Sequence, residues 1–193
     1  MLVDSEQLAA TAAAHEFTRI GIPITSELVM RYFLGRRPAD MFAAVEAATL
    51  ERLRVELRAM PHATHALTWL RGPKCVASSS SRDRIRASLE ITGLARFFDF
   101  QFSASDVANG KPAPDLFLHA AARMGVKACD CIVVEDSPAG VTAATTAGMA
   151  AIGFVGGSHA TAPLGEQLIQ AGARTVVADL RHLKSTVVSL RGW

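Results

Sequence analysis

The stretch IVVEDSPAG, residues 132–140, marks a passage from strand to helix. Its three β-branched residues predict a short buried strand. Ser137 has the side chain of an N-cap and Pro138 suits the first helical position, so a helix is expected to begin there. Glu135 and Asp136 are thereby left side by side at the carboxyl end of the strand.

Short apolar runs alternate with helical stretches on both sides of residues 132–140. The predicted strands are Cys75–Ala77, Phe98–Phe102, Ile132–Val134, Ala151–Val155 and Thr175–Val177. The helices predicted between them are Arg82–Thr92, Pro114–Met124 and Pro138–Ala147. This alternation indicates the α/β class, with an open parallel sheet covered on both faces. Because ligands bind beyond the carboxyl ends of such strands, the loops after them are the places to look for a site.

The first seventy or so residues of the chain have a helical pattern instead. Helices are predicted over Leu8–Ile20, Ser26–Leu34 and Asp40–Leu57, with breaks at Gly21-Ile22-Pro23, Gly35 and Met60-Pro61. The third helix runs on through EAATLERLRVEL without an internal turn. The sequence therefore predicts a short helical region ahead of the α/β region.

The acidic pair suggests a metal site. Adjacent carboxylates repel each other unless a cation or a lysine neutralises them. Oxygen ligands suit Mg²⁺, which usually keeps several waters and bridges to a substrate phosphate. Glu135 and Asp136 are therefore predicted metal ligands, and the alternative is that they cap the helix and are solvated.

Two further loops carry groups that suit an anion. The strand Cys75–Ala77 is followed by four serines, Ser78–Ser81, and hydroxyls with free amides at a helix N-terminus form a natural phosphate cradle. The alternative is that one serine caps the helix. Lys111, in NGKPAPDLF, precedes another helix and suits a phosphate or carboxylate, or else is an ordinary surface lysine.

Composition excludes several classes of protein. The 193 residues are 50% hydrophobic and 20% charged, with a net charge of +2, which predicts a globular core. The scattered arginines lack interleaved aromatic residues, so no nucleic-acid partner is expected. No apolar run is long enough to span a membrane, and no signal peptide is seen, so a cytoplasmic protein is predicted. The three cysteines, Cys75, Cys129 and Cys131, suggest buried, reduced thiols.

Four stretches together resemble the haloacid dehalogenase (HAD) superfamily of hydrolases, in the helical-cap branch of phosphoglycolate phosphatase-like enzymes and β-phosphoglucomutase. The stretches are LVDSE (residues 2–6), VASSSS (76–81), GKPAPDLF (110–117) and VVEDSPAG (133–140). The resemblance implies a Rossmann-like parallel sheet core with a small helical cap. It assigns residues 1–6 to a remnant of the first core motif, 7–61 to the cap and 62–193 to the core.

The resemblance also implies roles for single residues. Ser78 resembles the family's phosphoryl-binding Ser/Thr, and Ser79 and Ser80 would add contacts to the substrate. Lys111 resembles the lysine that pairs with both the nucleophile and the phosphate.

The metal and the cap follow from the same resemblance. Glu135 and Asp136 match the acids that hold Mg²⁺, the implied cofactor. In the cap, FLGRR makes Arg36 a candidate substrate-binding residue.

The chain departs from the family at its start, MLVDSEQLAA. Family members reach LVDSE through an apolar strand and Asp-x-Asp-Gly, whose first Asp attacks phosphorus and whose second is the general acid/base. Asp4 corresponds to a later aspartate without that role. The central strand of the core and both aspartates are therefore expected to be missing, and the chain as written is expected not to turn over. A start codon placed too far downstream or a degraded gene copy would explain this.

The resulting functional hypothesis is a magnesium-dependent phosphatase acting on a small phosphorylated metabolite, such as a sugar phosphate or phosphoglycolate. One alternative is a β-phosphoglucomutase-like phosphosugar mutase, which would use the same residues. Another is a non-catalytic relative that binds phosphate ligands or a partner. No membrane partner is expected, and the chain is taken as a monomer or homodimer.

Overall fold

The structure is a computed structural model, and it describes residues 5–19, 23–33 and 35–191. The chain divides into two compact units, residues 1–52 and 53–193. The division falls within the third helix.

The first unit is helical. It contains α1 (Glu6–Arg19), α2 (Ser26–Phe33) and most of α3 (Pro38–Glu56). α1 and α2 pack through Ala10, Ala14 and Val29, whose small or branched side chains are buried. The unbroken course of α3 confirms the helix predicted from EAATLERLRVEL. The predicted ends at Ile20–Ile22 and Leu34 lie outside the described residues.

The second unit alternates helices and strands. Its elements are α4 (Ala63–Trp69), β1 (Cys75–Ser78), α5 (Arg82–Ile91), β2 (Phe100–Ser103), α6 (Asp115–Met124), β3 (Ile132–Glu135), α7 (Pro138–Thr146), β4 (Ala150–Phe154), α8 (Leu164–Gln170), β5 (Thr175–Val177) and α9 (Leu183–Arg191). All five predicted strands are present, with ends shifted by at most two residues. The predicted start of α7 is confirmed, since Ser137 is its N-cap and Pro138 its first residue.

The strands form two parallel sets. β1 pairs with β2, placing Ser78 opposite Ser103, and β3, β4 and β5 pair in that order. The α/β class with parallel strands is thus confirmed. Within the described residues, β1 pairs only with β2 and β3 only with β4, so each has one edge without a strand partner. The missing central strand stays a prediction.

Small residues let the helices approach the strands closely. Val141, Ala143 and Ala144 of α7 are fully buried in the largest apolar cluster. Gly153 of β4 lies under Leu168 of α8, and a Cβ there would come within 3.0 Å of the Leu168 Cδ1 atom. The cluster also receives side chains from β1 and β3, so one core supports both sets of strands.

The structure differs from the sequence predictions in its short elements. Pro114 is the N-cap of α6, one position before the helix, although it was expected within the first turn. The sequence patterns did not predict α4, α8 and α9 as separate helices; these have seven to nine residues, although α2 and α7, of similar length, were predicted. No helix in the described part of the chain is long and apolar enough to cross a membrane.

The cysteines differ in burial. Cys75 and Cys131 are half-buried, whereas Cys129 is exposed, so the expectation of buried thiols is wrong for Cys129. Cys129 lies in the short turn Ala128–Asp130 ahead of β3. Burial raises the pKa of Cys75 to about 11, and the nearby Cys131 thiol adds to the rise.

Iodoacetamide should therefore alkylate Cys75 much more slowly than Cys129 at pH 8, because the thiolate is the nucleophile. Raising the pH from 8 to 9 should speed the Cys75 reaction about tenfold, since the thiolate fraction grows in proportion below the pKa. Peptide mass spectrometry at timed intervals measures both rates. Equal alkylation rates for the two thiols at pH 8 would contradict the burial and raised pKa of Cys75.

Leu168→Ala should lower the free energy of unfolding by about 2–5 kcal/mol, because it opens a cavity against Gly153 in a closely packed core. The neighbouring Ile169 is about half exposed and provides the matched control. Ile169→Ala should change the free energy of unfolding by no more than about 0.5 kcal/mol. Urea unfolding followed by circular dichroism measures both, and similar losses would show that α8 is not packed as described.

Candidate active site

The carboxyl ends of β1 and β3 border a cavity of about 390 Å³. Its lining residues are Ala77, Ser78, Ser79, Lys111, Val134, Glu135, Asp136, Ser137 and Phe154. Five of the residues predicted from sequence are thus brought together: two serines, the lysine and both acids. A larger open groove, about 540 Å³, runs along α8 and β5 and contains none of them.

Lys111 joins the two sets of strands at this cavity. Its Nζ donates to the Ala77 carbonyl of β1 at 3.3 Å and to the Glu135 Oε1 atom of β3. Nζ also lies 4.8 Å from the centre of the Phe117 ring. The side chains of Lys111 and Glu135 are each only 9% exposed, so this is a buried ion pair and not a surface contact.

Both oxygens of Glu135 are engaged by the protein. While Oε1 accepts from Lys111, Oε2 accepts from the Asp136 backbone N at 3.2 Å and from the Ser137 Oγ at 3.0 Å. The carboxylate lies against Gly140 in the first turn of α7, where any Cβ would overlap it. Glu135 therefore occupies the positive end of the helix and anchors Lys111.

The side chain of Asp136, by contrast, is 53% exposed. Its Oδ2 lies 3.6 Å from the Nε2 of His159, a residue that the sequence patterns did not single out. The described residues contain no cluster of three or more His, Cys, Asp and Glu side chains that could enclose a metal. A single carboxylate at an open cavity still fits Mg²⁺, which is commonly bound by one or two carboxylates with waters and substrate phosphate.

The four serines Ser78–Ser81 differ in their positions and hydrogen bonds. Ser78 and Ser79 line the cavity, and the Ser78 Oγ accepts from the Ser80 backbone N at 3.1 Å. Ser81 is the N-cap of α5 and accepts from the Arg84 backbone N at 3.2 Å, as the capping alternative predicted for one serine. Ser80 does not line the cavity, and its carbonyl faces β2 instead.

Ser103, at the end of β2, fixes this serine loop and was also missed from the sequence. It is 1% exposed, and its Oγ donates to the Ser80 carbonyl at 2.7 Å while accepting from the Ser105 N at 3.2 Å. The Asp106 carboxylate accepts from the Ser103 backbone N at 2.9 Å and pairs with Arg82 at 2.5 Å. The sequence signal that could have identified Ser103 is its position at the carboxyl end of β2, the strand that follows β1.

Arg36 belongs to the first unit. It lies exposed in the turn between α2 and α3, where its backbone N donates to the Phe33 carbonyl at 3.1 Å. Its role in binding substrate stays a prediction.

Comparison with known proteins places this site in a family. The model of the haloacid dehalogenase-like hydrolases matches residues 4–148. The chain is 32% identical over 172 residues to validoxylamine A 7'-phosphate phosphatase of Streptomyces hygroscopicus subsp. limoneus, covering 79% of this chain and 80% of that protein. It is 31% identical over 176 residues to 6-phosphogluconate phosphatase of Escherichia coli K12, covering 82% and 80%.

A solved structure agrees with these sequence matches. A conserved haloacid dehalogenase-like protein from Agrobacterium tumefaciens superposes with a TM-score of 0.70 at 32% identity, covering 97% of this chain and 93% of the other. The fold and these matches thus define a hydrolase of the α/β structural class. The chain belongs to the haloacid dehalogenase-like hydrolase family, which confirms the resemblance found from its four motifs.

Ser103→Ala should lower the free energy of unfolding by about 1–3 kcal/mol, because the Ser80 carbonyl would lose its buried donor. Amide exchange should rise in the Ser78–Ser81 loop and stay unchanged in β4. Ser185→Ala is the control, since the exposed Ser185 lies in α9 and its Oγ donates to the His182 carbonyl at 2.9 Å, away from the serine loop. Unaltered exchange in the serine loop of Ser103→Ala would show that Ser103 does not hold it.

Proposed function

We propose that this chain provides the phosphate- and metal-binding core of a magnesium-dependent phosphatase for a small phosphorylated metabolite, such as a sugar phosphate or phosphoglycolate. The observation that carries the proposal is the meeting of Ser78, Lys111 and Asp136 at one cavity. Two relatives that cover most of the chain are named as phosphatases of phosphorylated metabolites, which supports this substrate class.

Each of these residues has a distinct part in binding a phosphoryl group. The Ser78 hydroxyl and the loop amides donate hydrogen bonds to phosphate oxygens near the start of α5. Lys111 is held in place by Glu135 and adds a charge-assisted hydrogen bond where negative charge develops. Asp136 would hold Mg²⁺, which when bound supplies positive charge to the phosphate oxygens.

We also propose that the described residues at the cavity include no carboxylate free to act as the nucleophile. A phosphoaspartyl mechanism needs one carboxylate in line with phosphorus and a proton source on the opposite side. Among the described residues at the cavity, Glu135 is bound by Lys111 and Ser137, and Asp136 is assigned to the metal. Asp4 lies outside the described residues.

The arrangement of strands supports the prediction of a strand between β1 and β3. Each of these strands has an edge without a partner in the part of the chain that the structure describes. Val134, in the middle of β3, is 41% exposed, which is unusual for a strand of a covered parallel sheet. An apolar strand ending in Asp-x-Asp-Gly would cover Val134 and place its aspartates at the carboxyl ends, beside Ser78 and Lys111.

The test compares the chain as written with one extended at its N-terminus by an apolar strand and Asp-x-Asp-Gly. The extended chain should release phosphate from some members of a panel of phosphosugars and phosphoglycolate, and only with Mg²⁺. The unextended chain, and an extended chain with the first added Asp changed to Asn, should remain at background. Activity indifferent to Mg²⁺ would contradict the proposal.

Lys111 can be tested in the same extended chain without leaving a buried charge unpaired. The double variant Lys111→Met with Glu135→Gln removes both charges together and should lower kcat about 10²–10³-fold while the protein stays folded. Lys127→Ala, at an exposed lysine outside the cavity, is the control and should leave kcat unchanged.

Two outcomes would favour the alternatives. Conversion of one phosphosugar isomer into another, followed by ³¹P NMR, would indicate a mutase. A well-folded extended chain that acts on no phosphoester would indicate a non-catalytic relative.

A further inference from the structure

We propose that His159 is a positioning residue that holds Asp136 from outside the cavity and thereby strengthens metal binding. The proposal rests on the proposed function, because it takes Asp136 as the metal-binding carboxylate. Nε2 of His159 lies 3.6 Å from Oδ2 of Asp136, within ion-pair range. Asp136 lines the cavity and His159 does not, so the imidazole approaches the carboxylate from the outer side.

The loop after β4 is built to bring the imidazole to this place. Val155 continues the contact with β5 through a 3.0 Å hydrogen bond from its N to the Val177 carbonyl. Gly156 follows, at a point where any Cβ would overlap the Ala178 carbonyl. A tight turn then runs from Gly157 to Ala160, closed by a 3.0 Å hydrogen bond from the Ala160 N to the Gly157 carbonyl, and His159 lies within it.

The ring of His159 rests directly on Gly157. A Cβ at Gly157 would lie 2.7 Å from Cε1 and 2.8 Å from Nδ1 of the imidazole. The absence of a side chain at this position therefore permits the ring orientation in which Nε2 faces Asp136. Because the backbone of Gly157 is not in the left-handed region, an alanine would displace the ring without straining the turn.

Asp136 has more need than Glu135 of a neighbouring side chain that fixes the orientation of its carboxylate. Glu135 is buried and its oxygens accept from Lys111, Ser137 and the backbone, which fixes the carboxylate. Asp136 is half exposed, and His159 is the side chain found beside its carboxylate in the described structure. Carboxylates that bind metals are typically held by such outer partners, whose loss costs about 10–100-fold in metal affinity.

The experiment measures the dissociation constants of Mn²⁺, Mg²⁺ and Ni²⁺ for the chain as it exists. Electron paramagnetic resonance of free Mn²⁺ gives the dissociation constant of Mn²⁺. Competition of Mg²⁺ or Ni²⁺ with bound Mn²⁺ gives the other two constants. The variants are His159→Ala, His159→Gln and Gly157→Ala. His15→Ala is the control, because His15 also forms an exposed pair with a carboxylate, that of Glu16 at 3.4 Å in the first unit.

His159→Ala should raise the dissociation constants of all three cations by a similar factor, about 10–100-fold. Gln places an amide nitrogen near the position of Nε2, so His159→Gln should recover most of the affinity. Gly157→Ala should weaken binding although the imidazole is retained. His15→Ala should bind as the unaltered chain does, and urea unfolding should show equal stability for all variants.

Three results would overturn the proposal. Unchanged affinities in His159→Ala would show that Asp136 needs no outer partner, while leaving the proposed function intact. A loss confined to Ni²⁺, which favours imidazole more than Mg²⁺ does, would make His159 a direct ligand instead. Failure of the unaltered chain to bind any of the cations would overturn the metal site at Asp136 and the positioning role together.

Discussion

The buried ion pair between Lys111 and Glu135 is the contact on which the site depends. Lys111 comes from the loop before α6, yet its Nζ reaches the end of β1 and the end of β3. Removing one member of a buried pair typically costs about 3–5 kcal/mol, a large part of the 5–15 kcal/mol that stabilises a domain. The same contact fixes the Lys111 ammonium group at the cavity. The stability of the fold and the position of the lysine at the cavity are therefore coupled through one side chain.

This pair also explains why two adjacent carboxylates can be maintained at the end of β3. Glu135 is neutralised by Lys111 and by the first turn of α7, so its charge does not oppose that of Asp136 at full strength. Gly140 is what makes this possible, because a side chain there would occupy the space of the Glu135 carboxylate. Asp136 remains half exposed at the cavity. The two adjacent acids thus differ in their surroundings, since the first is bound within the protein and the second is open to solvent.

Much of this arrangement could be predicted from sequence because it is encoded locally. Ser137 and Pro138 fix the start of α7, and the β-branched run before them fixes β3, so the position of Glu135 and Asp136 followed directly. What could not be predicted arises between distant parts of the chain. The carboxylate that Lys111 engages, and the buried Ser103 that holds Ser80, depend on strand pairing and packing, which no local pattern records. His159 was missed for the same reason, because its contact with Asp136 depends on the turn after β4.

Two separate groups of contacts hold the cavity, one on the β1 side and one on the β3 side. On the β1 side, Ser103 and Asp106 hold the serine loop through hydrogen bonds, and Arg82 pairs with Asp106. On the β3 side, α7 holds Glu135, and the turn after β4 carries His159 to Asp136. Lys111 contacts both sides, through the Ala77 carbonyl and the Glu135 carboxylate, and so links the serine loop to the end of β3. A strand added between β1 and β3 would enter between these two groups of contacts, and its polar end would meet the serines, the lysine and Asp136 in positions that the described chain already fixes.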